Sequence, residues 1–193
     1  MALLKIARMG HPVLVHRAEE VADPTAREVR RLVEDMVETM EDADGVGLAA
    51  PQVYIGKRII IFKAPAAREP GEDPRGVAPL TALVNPVIEP LTHEMVQGLE
   101  GCLSIPGLSG VVPRCAHIRY RGTTPKGETI EREAIGFHAR VVQHECDHLD
   151  GILYTMRMTD LRLLSFTDEL RQRMAREAEA RGESQVEEDE VRG

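Results

Sequence analysis

QHECDHLDG, residues 143–151, is the stretch on which the reading of this chain turns. On a helix, residues four apart stand one turn apart on the same face, so His144 and His148 present two imidazoles side by side, with Glu145 next to the first. Imidazoles at that spacing can share one divalent ion, and a carboxylate beside them can move a proton. The bland alternative is a hydrogen-bonded helical histidine pair with no metal. Cys146 falls between the histidines, rotated off their shared face, and is expected to pack rather than ligate.

Two histidines leave such a site incomplete. No histidine follows Gly151, and the acids beyond it, Glu169 among them, lie on a polar helical stretch. Upstream, Cys102 stands in EGCLS (100–104), a Gly-preceded thiol ahead of a Pro/Gly run. One thiolate with two imidazoles leaves a fourth position for water, which is the layout of a catalytic metal centre. A closed structural centre would want a fourth protein ligand. His11, His16, His93, His117 and His138 lack a partner at ligand spacing and are expected at the surface or in hydrogen bonds. Cys115 is expected to pack. Asp147 reads as a group that orients a ligand or, at least as readily, as an exposed helical carboxylate.

Outward from this helix, expected over 137–150, the chain is short β-prone runs and two more helices. Asp23-Pro24 supplies an N-cap and an N1 proline, and Val29, Leu32, Val33, Met36, Val37 and Met40 repeat at helical spacing. That helix should stop near Asp44-Gly45. Strands are expected over 58–62, 80–88, 95–99, 111–120 and 128–135, punctuated by Gly and Pro as antiparallel strands are. A last helix is expected over 159–181, with Asp160 helping to cap it. Loop 64–76, with three prolines and two glycines, reads as mobile surface without chemistry. Strands followed by helices without regular alternation indicate an α+β fold, mostly antiparallel short sheets around the HExxH helix.

With 193 residues, the chain suits a single domain, expected over 1–182. The segment 183–193 carries five acids and one Arg, and is expected to be a disordered acidic tail. A net charge of −8 argues against DNA binding through general phosphate attraction. Three cysteines without dense spacing point to reduced thiols in a cytoplasm, and no apolar run approaches the ~18 residues of a membrane span.

Three separated blocks, GVGLAAPQ (45–52), EGCLS (100–104) and QHECDHLDG (143–151), together resemble the peptide deformylases, supported by GHPVL (10–14) and VPR (112–114). The resemblance spans roughly 5–160. It implies a hydrolase that removes the formyl group from the formyl-methionine of nascent polypeptides. Cys102, His144 and His148 would hold one metal ion and Glu145 would handle protons. The ion would lower the pKa of its water toward about 7. The Gln52 amide and the Leu103 backbone N–H would receive charge on the formyl oxygen. Gly45 and Gly47 would let the backbone lie along an extended substrate, though Gly45 reads equally as an ordinary helix cap. Val141, one turn before His144, is expected to wall a methionine pocket or simply to pack. The ligand set suits zinc on general grounds, whereas the family implies ferrous iron in the cell, with zinc or nickel in purified material. Arg171, Arg173, Arg176 and Arg181 on the last helix raise a ribosome contact, against the plainer reading of a solvated face. A zinc peptidase shares the HExxH chemistry, but Cys102 favours a deformylase. A silent binding relative would be expected to lose Glu145.

Overall fold

The computed structural model describes residues 2–65 and 73–191, with side chains as far as Ala180. The strand that organises the fold is β2 (Ile59–Ala64), whose opening run IIIF has no polar alternation. Both of its faces are covered. Ile59 and Ile61 pack with Val29, Met36 and Met40 of helix α1 (Arg27–Asp42), while Ile60 and Phe62 pack with Ala139, Val142 and Leu149 of helix α2 (Gly136–Leu149). A strand buried on both faces is apolar throughout, which explains the run.

Around β2 an antiparallel five-stranded sheet forms in the order β1-β2-β3-β6-β7, from β1 (Gly47–Ala49), β3 (Ala78–Pro90), β6 (His117–Thr123) and β7 (Thr129–Ile135). A second antiparallel sheet has the order β4-β5-β8, from β4 (Met95–Cys102), β5 (Ile105–Cys115) and β8 (Leu164–Phe166). Helix α2 packs on strands of both sheets. A short helix, α3 (Tyr154–Arg157), lies against β5, and α4 (Thr167–Val191) ends the fold. The α+β class with a central HExxH helix is therefore as the sequence indicates.

Several boundaries differ for identifiable reasons. Asp23 does not cap α1: its Oδ1 accepts from the backbone N–H and hydroxyl of Thr25, closing a turn of its own, and the helix begins after Ala26. Asp160 likewise accepts from the Arg162 N–H at the start of a 3₁₀ turn, Leu161–Leu163, so the last helix starts only at Thr167. Its backbone enters the 183–193 segment that the sequence reading leaves without structure. The run 111–120 divides between β5 and β6. Of loop 64–76, residues 66–72 lie outside the described residues. Ala64 belongs to β2, and Pro74–Gly76 form a 3₁₀ turn whose Arg75 carbonyl meets His138 Nδ1 at 2.8 Å.

Candidate metal centre

Helix α2 is buried on nearly every side, from His138 to Leu149, and this sets the terms of the site. Buried polar groups need partners, and most of those on α2 are accounted for. Cys102 ends β4 where the register with β5 shifts between Gly101 and Cys102, an irregularity that re-aims the thiol at the helix. The ligand atoms of Cys102, His144 and His148 lie within 4.8 Å of one another, and Cys102 Sγ is 3.3 Å from His148 Nε2. Bonds of ~2.3 Å to sulfur and ~2.1 Å to nitrogen in a tetrahedron place sulfur and nitrogen roughly 3.6 Å apart, so this set is sized for one ion. Burial favours the neutral form of His148, the form that ligates. Among the described residues, no other group of His, Cys, Asp or Glu is arranged to hold a metal.

A buried charge network holds His144, whereas among the described residues His148 Nδ1 has no hydrogen-bond partner. Glu100 accepts from His144 Nδ1 at 2.9 Å, which leaves Nε2 of that ring for a metal. The same carboxylate accepts from Arg114 through Nε at 2.8 Å and Nη2 at 2.9 Å, and from Arg140 Nη1 at 2.8 Å. Burial alone would raise the Glu100 carboxyl, but hydrogen bonds from Arg114 and His144, with their charge, hold it down at about 2. Arg114 also donates to Asp147, which accepts from Arg157 through Nη2 at 2.7 Å and Nε at 3.1 Å. Asp147 is thus a buried member of the network rather than an exposed helical carboxylate. The sequence reading missed the role of Glu100, although it adjoins Cys102 by two positions. Arg114, in the VPR block, was its visible counter-charge.

Glu145 lies outside this network. Among the described residues, its buried Oε2 has no hydrogen-bond partner. Burial pushes its carboxyl up to about 7, against the pull of His144. An uncommitted buried carboxylate beside three metal-type donors is equipped to exchange a proton near neutral pH. Gly47 makes room for it: a Cβ there would fall 2.2 Å from Glu145 Oε1. This glycine is required by a side chain of the chain itself, whatever it does for substrate.

The remaining expected residues gather around a cleft of about 520 Å³ that Cys102, His144 and Glu145 also line. Gln52 is buried, and its Oε1 accepts from the Ala49 N–H at 2.9 Å, which turns Nε2 toward Ser104 Oγ at 3.1 Å and Cys102 Sγ at 3.5 Å. Buried Ser104 is a partner that the sequence reading did not single out. Leu103 and Val141 line the cleft, and Val141 also belongs to the core. Gly45 lines it too. It is not the left-handed cap residue, a role taken by Asp44 at φ 52°; its Cβ would meet Leu103 Cδ1 at 3.0 Å. Cys146 packs in the core, where burial pushes its thiol up, and Cys115 is buried with Sγ 3.3 Å from the Thr92 carbonyl oxygen. His138 is buried and hydrogen-bonded, with Tyr120 Oη 3.1 Å from its Nε2.

The family model described as polypeptide deformylase matches residues 3–163. Peptide deformylase 1 of Bordetella pertussis is 52% identical over 165 residues, covering 86% of this chain and 93% of its own length. The Met-Ala-Ser-bound class I type b peptide deformylase of Acinetobacter baumannii has a TM-score of 0.71 at 39% identity, covering 80% of this chain and 99% of that one. The peptide deformylase of Ehrlichia chaffeensis has a TM-score of 0.77 at 32% identity, covering 83% and 90%. With a His-His-Cys donor set, an unpartnered glutamate and these relatives over the same residues, the chain belongs to the polypeptide deformylase family.

Proposed function

We propose that this chain removes the formyl group from formyl-methionyl nascent polypeptides by hydrolysis, using one ferrous ion in the cell and accepting zinc or nickel when purified. The observation that carries the reading is Glu145, a buried carboxylate without a partner beside Cys102, His144 and His148. Lewis acidity, and with it a water acidic enough to attack at neutral pH, would come from the divalent ion these three residues hold. Glu145 takes the proton of the attacking water and returns it to the departing amine. Gln52 Nε2 and the Leu103 N–H receive the charge that builds on the formyl oxygen, each contributing about 3 kcal/mol.

The substrate backbone has two docking edges. β1 and β4 are edge strands of their separate sheets, and Gly47 of one and Gly101 of the other line the same cleft, so an extended peptide can add between them. Gly45 keeps the approach to that edge small, and Val141 supplies an apolar wall for the methionine side chain. That the A. baumannii relative binds Met-Ala-Ser supports a substrate of this shape.

Three free cysteines support a reducing cytoplasm, and no described helix is long and apolar enough to cross a membrane. Catalysis belongs to residues 1–182, and the acidic 183–193 segment is a tail outside it. Arg173 and Arg176 share their surface with Glu169 and Glu177, a mixture of charge that supports a solvated face over a ribosomal RNA contact.

Anaerobic turnover of formyl-Met-Ala-Ser by the iron-loaded protein, read as formate with a parallel metal assay, tests the reading. Formate from the wild type, lost in Glu145→Ala with metal retained, is the expected result. A fully metallated wild type that releases no formate would overturn it.

A further inference from the structure

The last helix does more than close the fold. β8 pairs with β5 in a fixed register, Leu108 with Phe166, Ser109 with Ser165 and Gly110 with Leu164, and Ser109 Oγ lies 2.8 Å from Thr167 Oγ1. This clasp sets the first turns of α4 against the cleft, where Thr167 and Arg171 join its lining. Both lie beyond residue 163, where the family match ends.

The charges lining the cleft are mostly committed. Arg140 donates to Glu100 and to the carbonyls of Val96, Gly98 and Val112, and Glu100 is shared with Arg114 and His144. Asp44 is exposed and flanks Gly45. Asp168 and Glu169, in the first turn of α4, do not line the cleft. Among the described residues, the Arg171 guanidinium has neither hydrogen bond nor ion pair, and it is the cleft's one uncommitted cation.

We propose that Arg171 is a specificity residue of this site: it reads a carboxylate on the substrate beyond the formyl-methionine. The inference rests on the deformylase reading. That carboxylate has two sources, the C-terminus of a short formyl peptide and an acidic side chain at the second or third position. Arg171 reaches the cleft from α4 and not from α2 or β4, which carry the metal donors, so it acts on substrate affinity and not on proton transfer. Its solvent exposure sets a modest scale, a preference of about threefold that salt erodes.

The test compares kcat/KM for formyl-Met-Ala-Ser with that for its C-terminal amide, and for formyl-Met-Ala-Glu-amide with the Gln analogue, in the metal-loaded full chain. Turnover of the neutral amide reports the deformylase reading independently. Wild type is expected to favour a carboxylate substrate through KM, and the pair that shows the preference identifies its source. Arg171→Glu is expected to invert the preference and Arg171→Lys to retain part of it, while Arg173→Ala, on the opposite surface, keeps the wild-type ratio. Ratios near one in wild type for both pairs, or ratios unchanged in Arg171→Glu, would overturn the proposal with the deformylase reading intact. Failure of wild type on every peptide would overturn the deformylase reading itself.

Discussion

Replacing Gly47 by Ala isolates the link between backbone and proton transfer, because the three atoms nearest an added Cβ all belong to Glu145 and none to the three metal donors. An added Cβ falls 2.2 Å from Glu145 Oε1, 2.7 Å from Cδ and 2.9 Å from Cγ, whereas ordinary contact begins near 3.4 Å, so the carboxylate must retreat by about 1.2 Å. Glu145 is buried on a helix packed against both sheets, which leaves it little room to give. A displacement of about 1 Å at a reacting group costs on the order of 100-fold in rate, about 2.7 kcal/mol of transition-state stabilisation. Gly47→Ala is therefore expected to keep its metal and its fold while kcat/KM for formyl-Met-Ala-Ser falls about 100-fold. Formate release, metal content and thermal unfolding on the same preparation provide the check. Retention of metal with kcat/KM within threefold of wild type would refute the claim that Gly47 makes the space in which Glu145 works.

Two further changes probe other parts of the argument. Glu100→Gln strands Arg114 and Arg140 without their shared anion and loosens His144; it is expected to destabilise the fold by about 3–5 kcal/mol and weaken metal binding about 10- to 100-fold, read by urea denaturation and metal titration. His138 is held below its ordinary 6.5 by burial, opposed by its hydrogen bond to the Arg75 carbonyl. Its neutral form is favoured in the folded state, so its contribution is complete above pH 6.5 and is lost as pH falls toward the depressed value. His138→Gln should accordingly lose less stability than wild type between pH 7.5 and 5.5, by at most about 1.4 kcal/mol per pH unit, and equal losses in urea denaturation would refute this.

The donor set was legible because its logic is local: i, i+4 histidines need only a helix, and a Gly-preceded cysteine in a Pro/Gly setting stood out from the strands. The strand IIIF was legible as β structure, but its double burial was not, since sequence does not say which helix covers which face. Glu100 was hidden by tertiary packing. It lies past the strand expected over 95–99, and the register pairs it with Gly110 and Arg114 with Val96, so only the reach of the long Arg114 side chain joins the two charges. Asp23 and Asp160 were misassigned because an aspartate before a helical run closes a local turn as readily as it caps the helix. In sequence Arg171 shares one basic face with its helical neighbours, whereas the short strand β8, which no pattern announces, turns it toward the cleft and leaves Arg173 and Arg176 on another surface.

The double-faced burial of β2 bears on how the molecule comes apart. Among the described residues, two of the three apolar clusters meet on this one strand, so neither helix can leave without stripping one side of the layer that supports the other. Partial opening that frees α1 and spares α2 then has little to recommend it, and those two clusters behave as one cooperative unit. Amides of Ile60 and Ile61 should exchange with solvent only through global unfolding, making β2 the slowest-exchanging segment.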